Sequence, residues 1–528
     1  MLQAGSAIER EFSYELIKTV TDLPDQDLLS QLSLLKDAEL LYERGIFPQS
    51  MYIFRHALTR EVVYASILTS RKKTLHERTG NAIERLSEKT IEANYRLLVE
   101  HYLAAENYEK GAEYSRLARK QSMKTGSANE AIAYAKKTVE CLENLPQAEE
   151  SHDRIVGARA ILGFHYSQIN RHVEAKEAID PIAESALDSR SPRRRSQILS
   201  ILGSHSYLVE ENFPKAIEWL RDAERLAEQA KDYASVNQAE FWLGLGLSLN
   251  CDFEKGLSCL QRTFQVCMNV KSMWGASITK SNIGCFGYYF QGKIQPALSN
   301  SREALRIAEE SLDIYPRSIA YACYGIACYG SGEFDLAKEH LVTGINLAEK
   351  INYPFWIAAN NHFLGDICFE NRTFSEADSH YANATRAMRE NRTMPSWVNL
   401  STTASAKAKV MQNDKRFDFN SLAGYAAQCR LRILEGWTRR NLGEIFLNID
   451  DQHFPEAQHW IEQAIEADER NGMRWHMARD VAVHAELFKR KGNKEKAKEQ
   501  LGKAIDIYKE CGADGWVTKA EEGLAKIS

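Results

Sequence analysis

The sequence lacks the features that mark membrane, secreted and disulfide-bonded proteins. It contains no uninterrupted apolar run of about 18 or more residues, so no membrane-spanning helix is expected. Its first residues lack the basic and apolar segments of a secretory signal peptide. The ten cysteines are scattered and form no Cys-x-x-Cys pair, which is typical of reduced thiols inside a cell. We therefore expect a cytoplasmic protein without membrane contact.

Proline is scarce, and positive charge is not concentrated. Only 11 prolines occur in 528 residues, which favours a helical protein because proline interrupts helices. The net charge is -5 at pH 7, and the tight basic runs are residues 71–73 and 193–195. We interpret both runs as solvated helix starts. An acidic chain has no general attraction for nucleic acid, so nucleic acid is not expected as a partner.

Motifs of common catalytic and metal sites are also missing. There is no Gly-x-x-x-x-Gly-Lys-[Ser/Thr] loop to hold phosphates and no Gly-x-Ser-x-Gly nucleophile turn. The 14 histidines form neither a His-Glu-x-x-His motif nor a cluster with cysteine. We expect no enzyme activity in this chain, and neither a metal nor a cofactor.

What the chain does contain is a repeat of small residues with a period of about 40, a period typical of a solenoid. The first column consists of Gly163, Gly203, Gly244, Gly284, Gly325 and Gly365. The second column consists of Ala175, Ala216, Gly256, Ala297, Ala337 and Ala377. In a solenoid each unit buries its apolar faces only against its neighbours, and the stack presents a binding surface. The repeat therefore favours a binding function over catalysis.

Each repeat is predicted to be a pair of helices joined by a tight turn. A Phe-x-x-Ala motif separates the two columns, as in residues 213–216 and 334–337, and the flanking segments show helical apolar spacing. A small residue on each helix lets the two axes approach closely, whereas a large one would force them apart. The polar segment 516–528 is predicted to be a capping helix.

This pattern resembles the tetratricopeptide repeat, which places Leu-Gly on the first helix and Ala on the second. Leu162-Gly163, Leu202-Gly203, Leu243-Gly244 and Leu364-Gly365 retain the first signature. The resemblance implies an all-α solenoid over residues 147–515, wound as a right-handed superhelix of units longer than the 34 residues of the basic repeat. The steps from Ala377 to Ala423 and from Ala423 to Ala457 are uneven. They indicate an irregular repeat near residues 396–423, where we expect a break in the superhelix.

Residues 1–90 do not follow the repeat. Their apolar spacing predicts two helices, then two short strands flanking GIFPQ, then two further helices. This order is that of a small winged-helix domain. Residues 91–146 are then expected to form linking helices and the first helix pair.

The N-terminal segments carry a more specific resemblance. The segments that carry it are AIEREFSYELI, LLYERG, YIFRHALTREVVYASIL and LHERTGNAIE. They resemble the region after the ATPase core in bacterial signal-transduction ATPases with numerous domains, the STAND class, in the branch fused to class III adenylate or guanylate cyclase domains. The resemblance extends over the whole chain. It implies a C-terminal fragment or a separately encoded remnant that contains neither catalytic domain.

The resemblance also singles out His56. In related ATPases a histidine at the start of the last winged-helix helix contacts the nucleotide phosphate, and His56 has a similar place in Phe54-Arg55-His56-Ala57. Ala57 replaces the acidic residue of the family motif. Two interpretations stay open: His56 and Arg55 sense nucleotide in a parent protein, or both are structural.

The predicted partner-binding surface is the concave face formed by the first helices of the repeats. Its candidate residues are Tyr207, Tyr288, Tyr289, Tyr329, Asn360, His362, Asp366 and Phe369. A groove of aromatic and amide side chains suits an extended peptide or a helix, because rigid rings lose little entropy on binding. Packing between repeats is the competing interpretation of the same rings.

Together these features predict a non-catalytic regulatory and protein-interaction module, the sensor arm of a multidomain signalling ATPase or cyclase. Its expected partners are a protein or peptide on the repeat face and a nucleotide-binding ATPase domain in the same or a separate chain. Two alternatives stay open. One is a DNA-binding transcriptional regulator that uses the winged helix, and the other is a remnant of a nucleotide cyclase.

Overall fold

The computed structural model describes residues 1–124, 127–146, 149–188, 191–311, 313–414, 416 and 418–527. Within these residues the chain is helical apart from a single small sheet. It divides into two compact units, unit 1 (Met1–His165) and unit 2 (Tyr166–Ser528). No helix in the described residues is both long and apolar enough to cross a membrane.

Unit 1 begins with helices packed around a three-stranded antiparallel sheet of order β1-β3-β2. The elements are α1 (Leu2–Ile8), β1 (Glu11–Ser13), α2 (Tyr14–Thr21), α3 (Asp25–Asp37), β2 (Leu41–Arg44), β3 (Met51–Phe54), α4 (Ala57–Ala65) and α5 (Thr69–Leu86). Tyr52 of the central strand lies opposite both Phe12 and Glu43. Phe12, Ile17 and Phe54 are buried in the core beneath the sheet.

The two strands predicted around GIFPQ are present as β2 and β3, whereas β1 was not predicted. The segment around Phe12 has the apolar spacing of a helix, but residues Glu11–Ser13 pair with β3 instead. The Ser13 hydroxyl then accepts a hydrogen bond from Leu16 N at 3.2 Å and begins α2. The description of this region as a winged helix stays a prediction.

The rest of unit 1 is helical. It comprises a 3-10 segment (Glu88–Asn94), α6 (Tyr95–Ala104), α7 (Tyr108–Lys124), α8 (Ala128–Glu143) and α9 (Glu149–Gln168), the last of which runs into unit 2. Tyr102 of α6 stacks on Tyr114 of α7 with ring centroids 5.6 Å apart. The predicted boundaries at residues 90 and 146 stay predictions, since the two units divide at His165.

Unit 2 is a stack of antiparallel helix pairs, which confirms the all-α, tetratricopeptide-like solenoid. It begins with the short helices α10 (His172–Ile179) and α11 (Ala183–Leu187), joined by a 3-10 turn. The others are α12 (Pro192–Leu208), α13 (Phe213–Gln229), α14 (Tyr233–Leu249), α15 (Phe253–Asn269), α16 (Met273–Asn282, continued by a π-helical segment Ile283–Tyr289), α17 (Ile294–Ser311), α18 (Ile314–Ser331), α19 (Phe334–Lys350), α20 (Pro354–Glu370), α21 (Phe374–Asn391), α22 (Pro395–Met411), α23 (Phe419–Ala427), α24 (Arg432–Ile449), α25 (Phe454–Arg470), α26 (Arg474–Arg490), α27 (Lys494–Cys511) and α28 (Asp514–Ala525). From α12 onward the even-numbered helices are the first helices of the repeats, and the odd-numbered helices are the second helices.

The small-residue columns hold the two helices of a pair together. A Cβ atom on Gly203 would lie 2.6 Å from Leu220 Cγ, and one on Gly325 would lie 2.8 Å from Leu341 Cγ. Both distances are shorter than van der Waals contact, so the leucine of the second helix fills the space that glycine leaves on the first. This is the close approach that the sequence columns predict.

The irregular repeat lies where the sequence predicts it, but it does not break the stack. Its second helix, α23, has 9 residues, whereas α21 has 18. The first helix α22 packs against both α21 and α24, so the stack continues through this repeat. In the turn between α22 and α23, Lys415 and Phe417 lie outside the described residues.

Candidate functional site

His56 and Arg55 lie at the start of α4. His56 is exposed and is the N-cap residue of α4, but its side chain makes no capping hydrogen bond. The Arg55 guanidinium forms an ion pair with Glu39 at 2.7 Å, and both side chains are largely exposed. Both residues are therefore accessible to a partner, and nucleotide sensing by them stays a prediction.

The eight residues predicted to bind a partner lie on first helices of unit 2, where most are buried. We call the side of the first helices that carries these eight residues the inner face. The buried members are Tyr207, Tyr289, Tyr329, Asn360, His362 and Asp366, each at most 6% exposed. Tyr288 and Phe369 are partly exposed. Six of the eight residues are therefore buried, as the interpretation as packing between repeats expects, and partner binding by the eight stays a prediction.

Direct contacts between distant repeats close the inner face. The indole N–H of Trp475 in α26 donates to the carbonyl of Gly330 in α18 at 3.0 Å. The Ser396 hydroxyl donates to the Glu211 carboxylate at 2.6 Å, across 185 residues of sequence. Because α26 is the fourth first helix after α18, and α22 is the fifth after α12, repeats that are four or five apart touch each other.

An aromatic cluster fills the space enclosed by these contacts. The Tyr329 ring lies 5.6 Å from each of the Phe363, Trp475 and Trp516 rings, with edge-to-face orientation in all three pairs. The Tyr289 ring contacts Phe363 and Trp475 in turn, at 5.9 and 5.8 Å. These ring geometries are the favourable ones for aromatic packing. The predicted binding rings thus act as core in this closed arrangement.

Buried charged and polar groups surround the aromatic cluster. The Asp366 carboxylate accepts a hydrogen bond from the Tyr381 hydroxyl at 2.5 Å. The Arg440 guanidinium pairs with Asp480 at 2.7 Å, and both side chains are at most 3% exposed. Burial raises the pKa of Asp480 to about 6 although the Arg440 charge opposes this.

A second charged group contains two cations and one carboxylate. Glu370 is paired with both Arg479 and Lys519. Burial alone would raise the pKa of Glu370, but these two positive charges hold it below its ordinary value. The adjacent His476 is fully buried, and burial together with Arg440 and Arg479 lowers its pKa well below the usual range. His476 is therefore neutral at pH 7.

Several buried polar atoms of the inner face have no hydrogen-bond partner among the described residues. They are Tyr207 Oη, Tyr289 Oη, Asn360 Oδ1, His362 Nε2, Asn441 Oδ1 and both ring nitrogens of His476. A buried polar atom without a partner costs about 1–3 kcal/mol. In the described part of the chain, no three or more His, Cys, Asp or Glu side chains are grouped to hold a metal. The inner face thus offers unpaired donors and acceptors among rigid rings, which suits binding.

A family model, the MalT-like TPR region, matches residues 238–513, which is more than half of the chain. The chain belongs to the MalT-like TPR family. No curated protein matches it in sequence.

The solved structures that resemble this MalT-like TPR chain include three at 12–13% identity. A Rap protein complexed with competence and sporulation factor has a TM-score of 0.49 and covers 74% of this chain and 99% of its own. A STAND protein with a tetratricopeptide repeat sensor from Pyrococcus horikoshii has a TM-score of 0.33, covering 100% of this chain and 64% of its own. The Cut9–Hcn1 hetero-tetramer of APC/C has a TM-score of 0.31, covering 84% and 91%. At this identity the likenesses concern the fold alone.

Within the MalT-like TPR region, sequence reasoning missed the charged residues of the inner face. Arg440 and Asp480 occupy first helices that are otherwise largely buried. A charged residue on the apolar side of a predicted first helix was the available signal, because such residues are rarely fully buried unless they are paired. The two residues are 40 positions apart, which is one repeat period, so they occupy equivalent positions on consecutive first helices.

Proposed function

We propose that this chain is a non-catalytic regulatory arm that binds a protein or peptide partner through the inner face of unit 2. The observation that supports this proposal is the set of buried polar atoms without partners on that face. Such atoms destabilise a closed core, whereas a peptide backbone supplies a donor and an acceptor at every residue. The inner face in its closed arrangement therefore gains hydrogen bonds when a partner enters.

Partner entry requires an opening of the inner face. The contacts that would have to separate are hydrogen bonds, ion pairs and ring contacts between distant repeats, such as the indole of Trp516 donating to the Tyr329 carbonyl at 2.8 Å. Within a repeat, by contrast, the two helices approach closely where the small residues of the two columns meet. We infer two states, closed and open, in which the repeats move as rigid pairs and a partner stabilises the open state.

The N-terminal region has a separate role in this proposal. In a parent protein of the STAND class, the predicted winged helix would connect the repeats to a nucleotide-binding domain. His56 and Arg55 would then report the nucleotide state through contact with phosphate. Their exposure at the start of α4 supports this assignment, because the accessible helix start favours an anion.

The opening of the inner face can be tested at Gly332 and Gly515, which lie in contact. A Cβ atom on Gly515 in α28 would lie 2.8 Å from Gly332 Cα, so Gly515→Val acts as a wedge between α28 and the end of α18. Gly502→Val is the matched control, because a Cβ atom there meets no heavy atom within 4 Å. Peptides are selected from a random display library on the full-length wedge variant. Their affinities are then measured for the wedge, control and wild-type chains.

We expect the selected peptides to bind the wedge variant more tightly than the wild type and the control, because a larger fraction of the wedge variant is open. Hydrogen exchange should show protection on the first helices α18 and α20. Protection confined to second helices would contradict the proposal. Recovery of no peptide with the wedge variant would contradict it as well.

A further inference from the structure

Unit 1 contains a cavity of about 370 Å³ between α7, α8 and α9. This volume lies within the range of about 300–1,000 Å³ that is usual for small-molecule sites. Its apolar lining comes from all three helices, and the residues are Ala112, Ala135, Leu142, Gly157, Ala158 and Ile161. Four of these six are alanine or glycine, so the cavity exists because the facing side chains are too small to meet.

The packing of unit 2 shows what usually happens over such small residues. There, Leu220 fills the space over Gly203, and Leu260 fills the space over Gly244. In unit 1 the corresponding volume over Ala112 and Ala135 stays open as the cavity, although both alanines are almost fully buried. The cavity is open to solvent on one side, so its apolar lining faces water, and a ligand with an apolar body gains free energy by covering that lining.

One side of the cavity carries more positive than negative charge, because Arg116 and Arg119 line it together with one carboxylate, Glu113, which lies 4.0 Å from Lys110. Arg116 and Arg119 lie one turn apart on α7, and both line the cavity. Arg119 donates to Nε2 of His165 at 2.9 Å. Among the described residues, no carboxylate lies within ion-pair distance of Arg116 or Arg119. Burial, followed by the charge of Arg116, lowers the pKa of Arg119.

The other charged pair at the cavity is balanced. Arg154 and Glu109 form two parallel hydrogen bonds of 2.8 and 3.0 Å, the bidentate arrangement in which an arginine and a carboxylate neutralise each other. This pair shows the geometry that Arg116 and Arg119 lack. The cavity therefore has a neutral end, an apolar floor and a cationic side.

We propose that this cavity binds a small organic acid with an apolar body, its carboxylate on Arg116 and Arg119 and its body on the apolar floor. A guanidinium holds a carboxylate with two hydrogen bonds, and a second arginine adjacent to it strengthens the attraction. The bound acid would balance the like charges and fill the space left by the small residues. This site is separate from the inner face and gives the regulatory arm a small-molecule input.

The test uses the full-length chain and three probes in calorimetry: decanoate below its micelle concentration, decanol and inorganic phosphate. Decanoate is expected to bind saturably with one site per chain. Decanol should bind at least about tenfold more weakly, because it lacks the charge-assisted hydrogen bonds. Phosphate lacks the apolar body and should show no saturable binding.

Three variants locate the site. Arg119→Met is expected to weaken decanoate binding at least about tenfold. Arg78→Met is the matched control, because Arg78 is an exposed arginine of unit 1 that does not line the cavity. Ala158→Leu fills the cavity and keeps both arginines, so it should abolish binding even if Arg119→Met disturbs folding.

The opposite results would overturn the proposal. Equal binding of decanol and decanoate would mean that the arginines do not recognise the acid. Saturable phosphate binding as tight as that of decanoate would reduce the site to a general anion site. Decanoate binding that is unchanged in Ala158→Leu would place the acid elsewhere on the chain.

Discussion

Trp475 in α26 donates its indole N–H to the carbonyl of Gly330 in α18, and the two residues are 145 positions apart. Trp516, which begins the next first helix, makes the same contact with the neighbouring carbonyl of Tyr329 at 2.8 Å. Two consecutive first helices are thus attached to one turn of backbone at the end of α18. Closure of the inner face therefore depends on specific contacts that single substitutions can weaken.

The first prediction concerns Gly515, which lies directly against the end of α18. A Cβ atom on Gly515 would lie 2.8 Å from both Gly332 Cα and the Ser331 carbonyl oxygen, and neither backbone atom can move aside easily. We expect Gly515→Ala to lower the free energy of unfolding by about 1–3 kcal/mol, the usual effect of overpacking. Amides at the end of α18 should also exchange faster. Urea unfolding and hydrogen exchange measure the two effects.

Gly502→Ala is the control for this prediction. Gly502 lies inside α27, and a Cβ atom there meets no heavy atom within 4 Å. Alanine favours a helix over glycine by about 1 kcal/mol, so this variant should be as stable as the wild type or more stable. If Gly515→Ala behaved like Gly502→Ala, the close contact between α18 and α28 would be absent in solution.

The second prediction concerns Gly203 and Leu220, which represent the small-residue column. Leu220→Ala should cost about 2–5 kcal/mol because it leaves a cavity. Gly203→Ala should cost about 1–3 kcal/mol because its Cβ atom would lie 2.6 Å from Leu220 Cγ. In the double variant, the new methyl group occupies part of the vacated space, so the combined loss should be smaller than the sum. Strict additivity in urea unfolding would contradict the direct contact.

The sequence predicted the helix pairs because both columns report contacts within one repeat. Gly203 and Ala216 are 13 residues apart, and their small size is needed whatever the rest of the stack does. Closure of the inner face is different, because it depends on small rotations between repeats that add up from α18 to α26. Tyr289 and Tyr329 would face inward whether the superhelix were open or closed. Their place in the repeat therefore predicted the side on which the rings lie, but it did not predict that the rings are buried.

Two local features also escaped prediction. The π-helical segment Ile283–Tyr289 places an extra residue in its turn and changes the directions of the side chains around Tyr288. The three residues of β1 carry too short a pattern to separate a strand from a helix. The cavity of unit 1 had no sequence signal, since a small residue predicts close helix packing and an open space equally well.

The third prediction concerns the buried pair of Arg440 and Asp480. Removing one partner leaves the other buried without compensation, so Arg440→Met should cost about 3–5 kcal/mol. The double variant Arg440→Met/Asp480→Leu replaces both charges with apolar groups and should be more stable than Arg440→Met alone. Urea unfolding of the single and double variants at pH 7 gives the coupling. A double variant whose loss of stability equals the sum of the two single losses would show that Arg440 and Asp480 do not interact in solution.

The final prediction concerns His362, which is fully buried and whose Nδ1 lies 2.9 Å from the Ser401 hydroxyl. Burial lowers its pKa to about 4; Asp366 opposes the shift, and Lys407 and Arg440 add to it. The unfolded chain takes up this proton below about pH 6.5, whereas the folded chain takes it up only near pH 4. The resulting stabilisation is complete above pH 6.5 and is lost as the pH falls towards 4, by roughly 3 kcal/mol in total.

His362→Gln removes this titration. The variant should be less stable than the wild type at pH 7, and the difference should shrink by about 2–3 kcal/mol at pH 4.5. The exposed His459 supplies the control, because His459→Gln alters no buried group and should change stability little at either pH. Urea unfolding at both pH values decides the matter. If the loss caused by His362→Gln were equal at pH 7 and pH 4.5, His362 would take up its proton equally in the folded and unfolded chains, and the inner face around it would be open to water.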